Sequence, residues 1–339
     1  MHPLVVHNLY AQLLDWSLHS ALAGSGLLSA GGSFVWKTVK GNRYLYYQYR
    51  RGGAQRQSYV GPSTPELLRL VGSIHNETAN SRQLASMLAR GGGYVLDPFA
   101  SKLLSSLSLN GAFYGGSVLV GTYAFLAYQN MLGLRWTEAM TTMDVDIARE
   151  GRVELALVPG QQFDLPLVIQ GMNPELCPVF DVVRATRKPV SFTSADGQNQ
   201  FDLLTPLRGK GRVDPVFIHA FNALAEPLRF LDYILDDPQP TVVVTHDMDA
   251  MMVLIPNPAR FALHKMLVSV KRPASHTAKS RKDMAQARQL LEVLCEFRPH
   301  DVHEAWQALK KRGKGWTTPV MEALLNAPEA FREKMENLL

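Results

Sequence analysis

Apolar residues recur at helical spacing over residues 5–23, at Leu9, Leu13, Trp16 and Leu22, and a Gly/Ser-rich break follows at 24–33. Over 34–60 the pattern changes. Phe34, Trp36, Tyr44, Tyr46, Tyr47, Tyr49 and Tyr59 alternate with Lys37, Lys40, Arg43, Arg50, Arg51 and Arg56. Gly41-Asn42 and Gly52-Gly53 interrupt the run where turns would fall, which predicts a three-stranded antiparallel meander. Helical spacing returns over 64–91, with Thr64 as cap and Pro65 in the first turn, and ends at Gly91-Gly92-Gly93.

Beyond that break, short apolar runs dominate. Residues 118–121 read as a buried strand opening a helix at 122–131, and 143–148 read as a further strand. Runs at 189–194 and 200–204 flank Asp196-Gly197, a hairpin signal, and runs at 240–245 and 250–256 make another strand pair. From Pro258 to the end the spacing is helical, broken at Pro273, Pro299, Gly313–Gly315 and Pro328. The expected architecture is an α/β (α+β) chain with a mixed-sheet core. Residues 1–93 form an N-terminal helix, small sheet and helix, residues 94–256 the catalytic core, and residues 257–339 a C-terminal helical domain.

Composition narrows the class. Hydrophobic residues make up 46% of 339 and charged residues 19%, which is globular rather than disordered. No apolar run reaches the roughly 18 residues of a membrane span. The first residues lack the basic region and small-residue cleavage site of a secretory signal. Two cysteines, Cys177 and Cys295, lie outside any paired metal-ligand spacing, so a disulfide framework is not expected and a reducing cytoplasm is. The net charge of +5 is clustered: 34–60 carries no acid, and 260–314 holds thirteen Lys/Arg against five Asp/Glu. Both zones suit a polyanion. Tyr and Arg over 34–60 could stack bases and neutralise phosphates. Equally, the aromatics could pack a small sheet against the N-terminal helix beneath solvated charges.

Three carboxylates carry the candidate chemistry. In Met143-Asp144-Val145-Asp146-Ile147-Ala148, residues two apart on a strand share a face, so Asp144 and Asp146 fall together. Two carboxylates on one face call for a cation between them, and hard ions such as Mg²⁺ or Mn²⁺ take oxygen ligands. Asp202, in the apolar run Phe201-Asp202-Leu203-Leu204, would complete a two-metal site if its strand lay beside the first. Gly121-Thr122 ends the strand at 118–121 and opens a helix, a place where a phosphate can approach free N–H groups. Asp181 is a rival third carboxylate. Thr245-His246-Asp247-Met248-Asp249 reads as an ordinary hairpin turn.

Together, Gly121-Thr122, Asp144-x-Asp146 and a lone strand Asp202 resemble the nucleotidyltransferase (polymerase beta-like) superfamily over roughly residues 95–300. The stretches VLVGTYAFLAYQNMLG, TTMDVDIA, FDLLTP and PARFALHKMLVSVKR look like a bacterial branch related to minimal nucleotidyltransferases and abortive-infection toxin enzymes. The resemblance implies that Gly121 and Thr122 hold a triphosphate and that Asp144 and Asp146 bind metal. It implies that Asp202 binds the catalytic metal and helps deprotonate the nucleophile, and that Lys265 contacts phosphates. Lys265 could equally belong to a solvated basic helix face with Arg260, His264, Lys271 and Arg272. The implied activity is transfer of a nucleoside monophosphate from an NTP to an RNA acceptor such as tRNA, with a toxin or phage-defence role and an unidentified antitoxin. Two alternatives are nucleotidylylation of a protein hydroxyl and a non-catalytic binding module retaining the fold. The chain departs from the family pattern at Thr122, where Gly or Ser is usual, and at Met140, where related toxins carry Arg. Arg135 is a candidate substitute for that arginine.

Overall fold

The computed structural model describes residues 4–22, 33–51, 54–113, 115–136, 144–148, 164–172, 176–180, 188–207, 214–336 and 338. Met140, Asp181 and Gly52-Gly53 lie outside the described residues. Helix α1 (Leu4–Leu22) is followed by the antiparallel meander β1 (Ser33–Val39), β2 (Asn42–Arg51) and β3 (Ala54–Pro62). Helix α2 (Pro65–Arg90) starts where its cap signal lies: the Thr64 hydroxyl accepts the Leu67 N–H at 3.2 Å and Pro65 occupies the first turn. Helix α3 (Pro98–Leu109) was not anticipated. Asp97 caps it, accepting from Ala100 N–H at 2.9 Å and from the Tyr123 hydroxyl at 2.5 Å.

The central region runs β4 (Val118–Val120), α4 (Gly121–Leu132), β5 (Asp144–Ala148), α5 (Leu165–Met172), β6 (Leu176–Val179), β7 (Ser191–Ser194), β8 (Gln200–Pro206), β9 (Val216–Ile218), β10 (Ala223–Leu228), α6 (Leu231–Leu235), β11 (Pro238–Val244) and β12 (Ala250–Pro256). Its mixed sheet has the order β4-β5-β8-β10-β9. β5 and β10 pair parallel with β8, β4 pairs antiparallel with β5, and the β6–β7 hairpin pairs with the first half of β8. The β7–β8 turn falls at Asp196-Gly197. Gly197 is left-handed at φ +68°, and Asp196 accepts from the Ser194 hydroxyl at 2.5 Å and from Gln198 N–H at 3.0 Å.

β11 and β12 form a separate antiparallel ribbon. A small core joins it to the N-terminal helices through Val6, Leu9, Leu13, Ala85, Leu88, Val242 and Val244. Tyr10 and Thr241 share a hydroxyl hydrogen bond of 2.6 Å within it. The helices α7 (Pro258–Lys271), α8 (Thr277–Phe297), α9 (Pro299–Lys310) and α10 (Lys314–Leu325) end at the breaks read from the sequence, and α11 (Glu329–Glu336) follows the last of them. The main core runs without interruption from α3 and α4 through Phe201 and Leu203 of β8 to Leu263, Leu290 and Leu324 of the C-terminal helices. Among the described residues, no helix is long and apolar enough to cross a membrane.

Candidate functional site

The sheet brings three stretches of chain into one row. Val120 of β4 is the register partner of Asp146 on β5, and Asp146 is the partner of Asp202 on β8. Neighbouring strands lie about 4.8 Å apart, and register partners share a face. Asp144 pairs with Gln200 two residues along the same strands, on the same face. The row ends at Gly121, where β4 turns into α4. Gly121 sits at φ +65°, a conformation that favours glycine, and no side chain caps the helix. An uncapped helix start is a favourable place for an anion.

A cleft of about 650 Å³ opens at this row, with Gly121, Thr122 and Asp202 among its walls. Alternation along β8 explains why Asp202 is available: Phe201 and Leu203 are buried in the core, leaving Gln200 and Asp202 to line the cleft. The Gln200 amide donates to both Asp202 oxygens, at 2.9 and 2.8 Å, and so orients the carboxylate. Ser191, the register partner of Asp202 on β7, and Glu226 of β10 also line the cleft.

The opposite wall comes from α7 and α8. Phe261, His264, Lys265 and Val268 follow helical spacing, and Lys271, Arg272, Lys279, Lys282 and Asp283 continue the wall. Lys282 donates to the Thr122 hydroxyl at 3.1 Å, tying the basic wall to the helix start beside Gly121. The cleft is therefore polarised. Asp202 and Glu226 stand on its sheet side, and five Lys/Arg side chains stand on its helical side with Arg229 nearby.

Lys265 is 8% exposed and does not sit on a solvated helix face. Its ammonium donates to Asp283 at 2.6 Å, and Arg272 donates to the other Asp283 oxygen at 2.7 Å. Burial alone would raise the Asp283 pKa, but Lys265 and Arg272 more than offset it and hold the carboxyl below its usual value. The triad carries one net positive charge into the cleft wall. Next to it, His264 is pushed down to about 3 by burial and by Lys265, so its imidazole stays neutral. Neither ring nitrogen has a hydrogen-bond partner.

The rival features take structural places. Arg135 donates to the Gly92 carbonyl at 3.2 Å and does not line the cleft. In the β11–β12 turn, Asp249 is bound by Arg82, with one contact of 2.5 Å. Among the described side chains, no group of three or more His, Cys, Asp or Glu residues is placed to hold a metal ion. Several basic residues of 260–314 outside the cleft are engaged by acids. Arg260 bonds the Tyr233 carbonyl at 3.1 Å and reaches Asp236 at 3.5 Å, and Arg312 bridges Asp232 and Asp236. Lys271, Lys279 and Lys282 were visible in the sequence only as part of a basic zone. Glu226 of β10 and Arg229 just past its end carry no local sequence pattern that marks them as cleft residues.

A family model described as Nucleotidyltransferase matches residues 99–310, which run from α3 to the end of α9. No curated protein and no solved structure matches the chain.

Proposed function

This chain belongs to the nucleotidyltransferase family, and we propose that it moves a nucleoside monophosphate from an NTP to a hydroxyl of RNA, releasing pyrophosphate. The observation that carries this reading is the polarised cleft: Asp202 in register with Asp146 on the sheet, facing a wall of Lys and Arg beside the start of α4. An NTP needs both. Its triphosphate needs cations and N–H groups, and its charge-balancing metal needs carboxylates.

A half-buried carboxylate on the cleft floor, with Asp146 at the adjacent register position, is the hard-oxygen donor chemistry that Mg²⁺ or Mn²⁺ takes. Asp144, Asp146 and Asp202 would hold the metal. Such an ion would supply charge neutralisation to the phosphates and would favour deprotonation of an acceptor hydroxyl.

The protein groups then divide the work. Gly121 and Thr122 receive the phosphates at the helix start, and Lys265 and Lys282 balance their charge. The acceptor oxygen forms a bond to the α-phosphorus while the bond to the β-phosphate bridging oxygen breaks. Asp202 takes the hydroxyl proton. Most of the acceleration comes from positioning and from charges fixed in advance.

The test is incubation with α-labelled NTPs, Mg²⁺ and total RNA, resolved on nucleic-acid and protein gels. Label on RNA that is lost in Asp144→Ala and Asp146→Ala supports the reading. Label on protein alone would move the acceptor to a protein hydroxyl, and equal label from both variants would end the reading.

A further inference from the structure

The β1–β3 meander lies outside the matched residues 99–310 and takes no part in the cleft. Its two faces differ. Register places Phe34, Tyr47 and Ser58 in one row and Trp36, Leu45 and Gly61 in the next. This face is the inner one. Leu45 and Tyr47 are buried, Phe34 meets His75 of α2 edge-on with ring centroids 6.1 Å apart, and Gly61 lies close to Leu67.

The other face carries Val35, Tyr46 and Tyr59 in one row, with Lys37 and Tyr44 in the next and Gln48 and Gln57 on the far side. Tyr59 is 57% exposed. Its ring lies 5.6 Å from Tyr46 and 6.1 Å from Tyr44. The Lys37 ammonium sits 4.8 Å from the Tyr46 ring centre and also donates to Gln57, whose amide donates to Gln48 at 2.7 Å.

We propose that this outer face binds single-stranded RNA, with Tyr44, Tyr46 and Tyr59 as the stacking platform. The inner face buries Leu45 and Tyr47 against the rest of the molecule. Three tyrosines instead form a cluster on the side away from α2, next to a cation and two side-chain amides that can reach base edges. Stacking on aromatic rings tolerates any base, because every base has a π-face. Charge selects the partner: no acid occurs among residues 34–60, and the Lys37 ammonium lies on this face. A basic aromatic surface of this kind fits a flexible polyanion with exposed bases. A duplex hides its bases, and an acidic peptide offers none.

The inference rests on the RNA-acceptor reading for its choice of polyanion, and binding is measured without NTP so that the two fail separately. The full chain is titrated with fluorescently labelled single-stranded RNA and followed by anisotropy. Tyr46→Ala and Tyr59→Ala should each weaken binding about tenfold, Tyr59→Phe should retain it, and Lys37→Gln should flatten its salt dependence. Glu292→Gln, on the exposed surface of α8, should bind RNA like the unmodified chain. Unchanged affinity in a folded Tyr46→Ala/Tyr59→Ala double variant overturns the proposal. Competition by poly-glutamate or duplex RNA as strong as by single-stranded RNA overturns it too, in favour of binding by charge alone.

Discussion

Asp146 lies opposite Asp202 in the parallel pairing of β5 with β8, with Val120 as its partner on the other side. The two residues are 56 positions apart in the chain, and only the strand register makes them neighbours. Removing either should therefore have the same kind of effect. Asp202→Asn keeps the shape of the side chain and removes its charge. It should lower nucleotide transfer by two to three orders of magnitude, on the scale of losing one fixed charge-stabilising group. Circular dichroism and the melting temperature should stay near those of the unmodified chain. An active Asp202→Asn would remove this residue from the chemistry.

Lys282 and Thr122 make a second contact across the cleft, 160 residues apart in sequence. If the contact prepares the phosphate site, Lys282→Ala should raise KM for NTP about tenfold or more, in line with one charge-assisted hydrogen bond. Thr122→Ser, which keeps the hydroxyl, should change KM little, while Thr122→Val should raise it. Steady-state kinetics over a range of NTP concentrations separates the three variants.

The Lys265–Asp283–Arg272 triad makes a stability prediction. Asp283 is 1% exposed, so Asp283→Ala leaves Lys265 buried without its partner. The loss should be about 3–5 kcal/mol, read from urea unfolding. The exposed Arg288–Glu292 pair, 3.7 Å apart on α8, provides the comparison, and Glu292→Ala should change stability by less than about 1 kcal/mol. Equal effects at the two sites would contradict the burial argument.

His264 predicts a pH dependence. Its folded pKa is held near 3 by burial and Lys265, against an ordinary value of 6.5. Between those values the unfolded chain takes up a proton that the folded chain refuses. The stability present above pH 6.5 is therefore lost as pH falls toward 3, with a slope of at most about 1.4 kcal/mol per pH unit. His264→Phe removes this proton and should flatten the profile between pH 6.5 and pH 4. Asp283, whose pKa lies below 3.8, adds its own loss only under that window. Parallel profiles for the two proteins would show that His264 is not the group responsible.

Local signals made much of the fold readable. Thr64-Pro65 marked the start of α2, Asp196-Gly197 marked the β7–β8 turn, and prolines and glycines marked the C-terminal helix ends. In each case the cause is local backbone chemistry. Asp97-Pro98 carries the same kind of signal for α3. For the site, strand alternation separated Asp202 from Phe201 and Leu203. The partnership of Lys265 with Asp283 had no local trace, because two helices must fold back on each other before the residues meet. The inner and outer faces of the meander were equally hidden. Alternation says that two faces exist, and only packing on α2 says which one is covered.

The central claim is that the cleft transfers the α-phosphorus of an NTP. It is tested most directly by supplying RNA and Mg²⁺ with NTP labelled at the α- or the γ-phosphate, and measuring label on the acceptor alongside pyrophosphate released. α-Label should appear on RNA in equal amount to pyrophosphate, with no γ-label. Transfer of γ-label, or no α-label on RNA from folded protein, contradicts it.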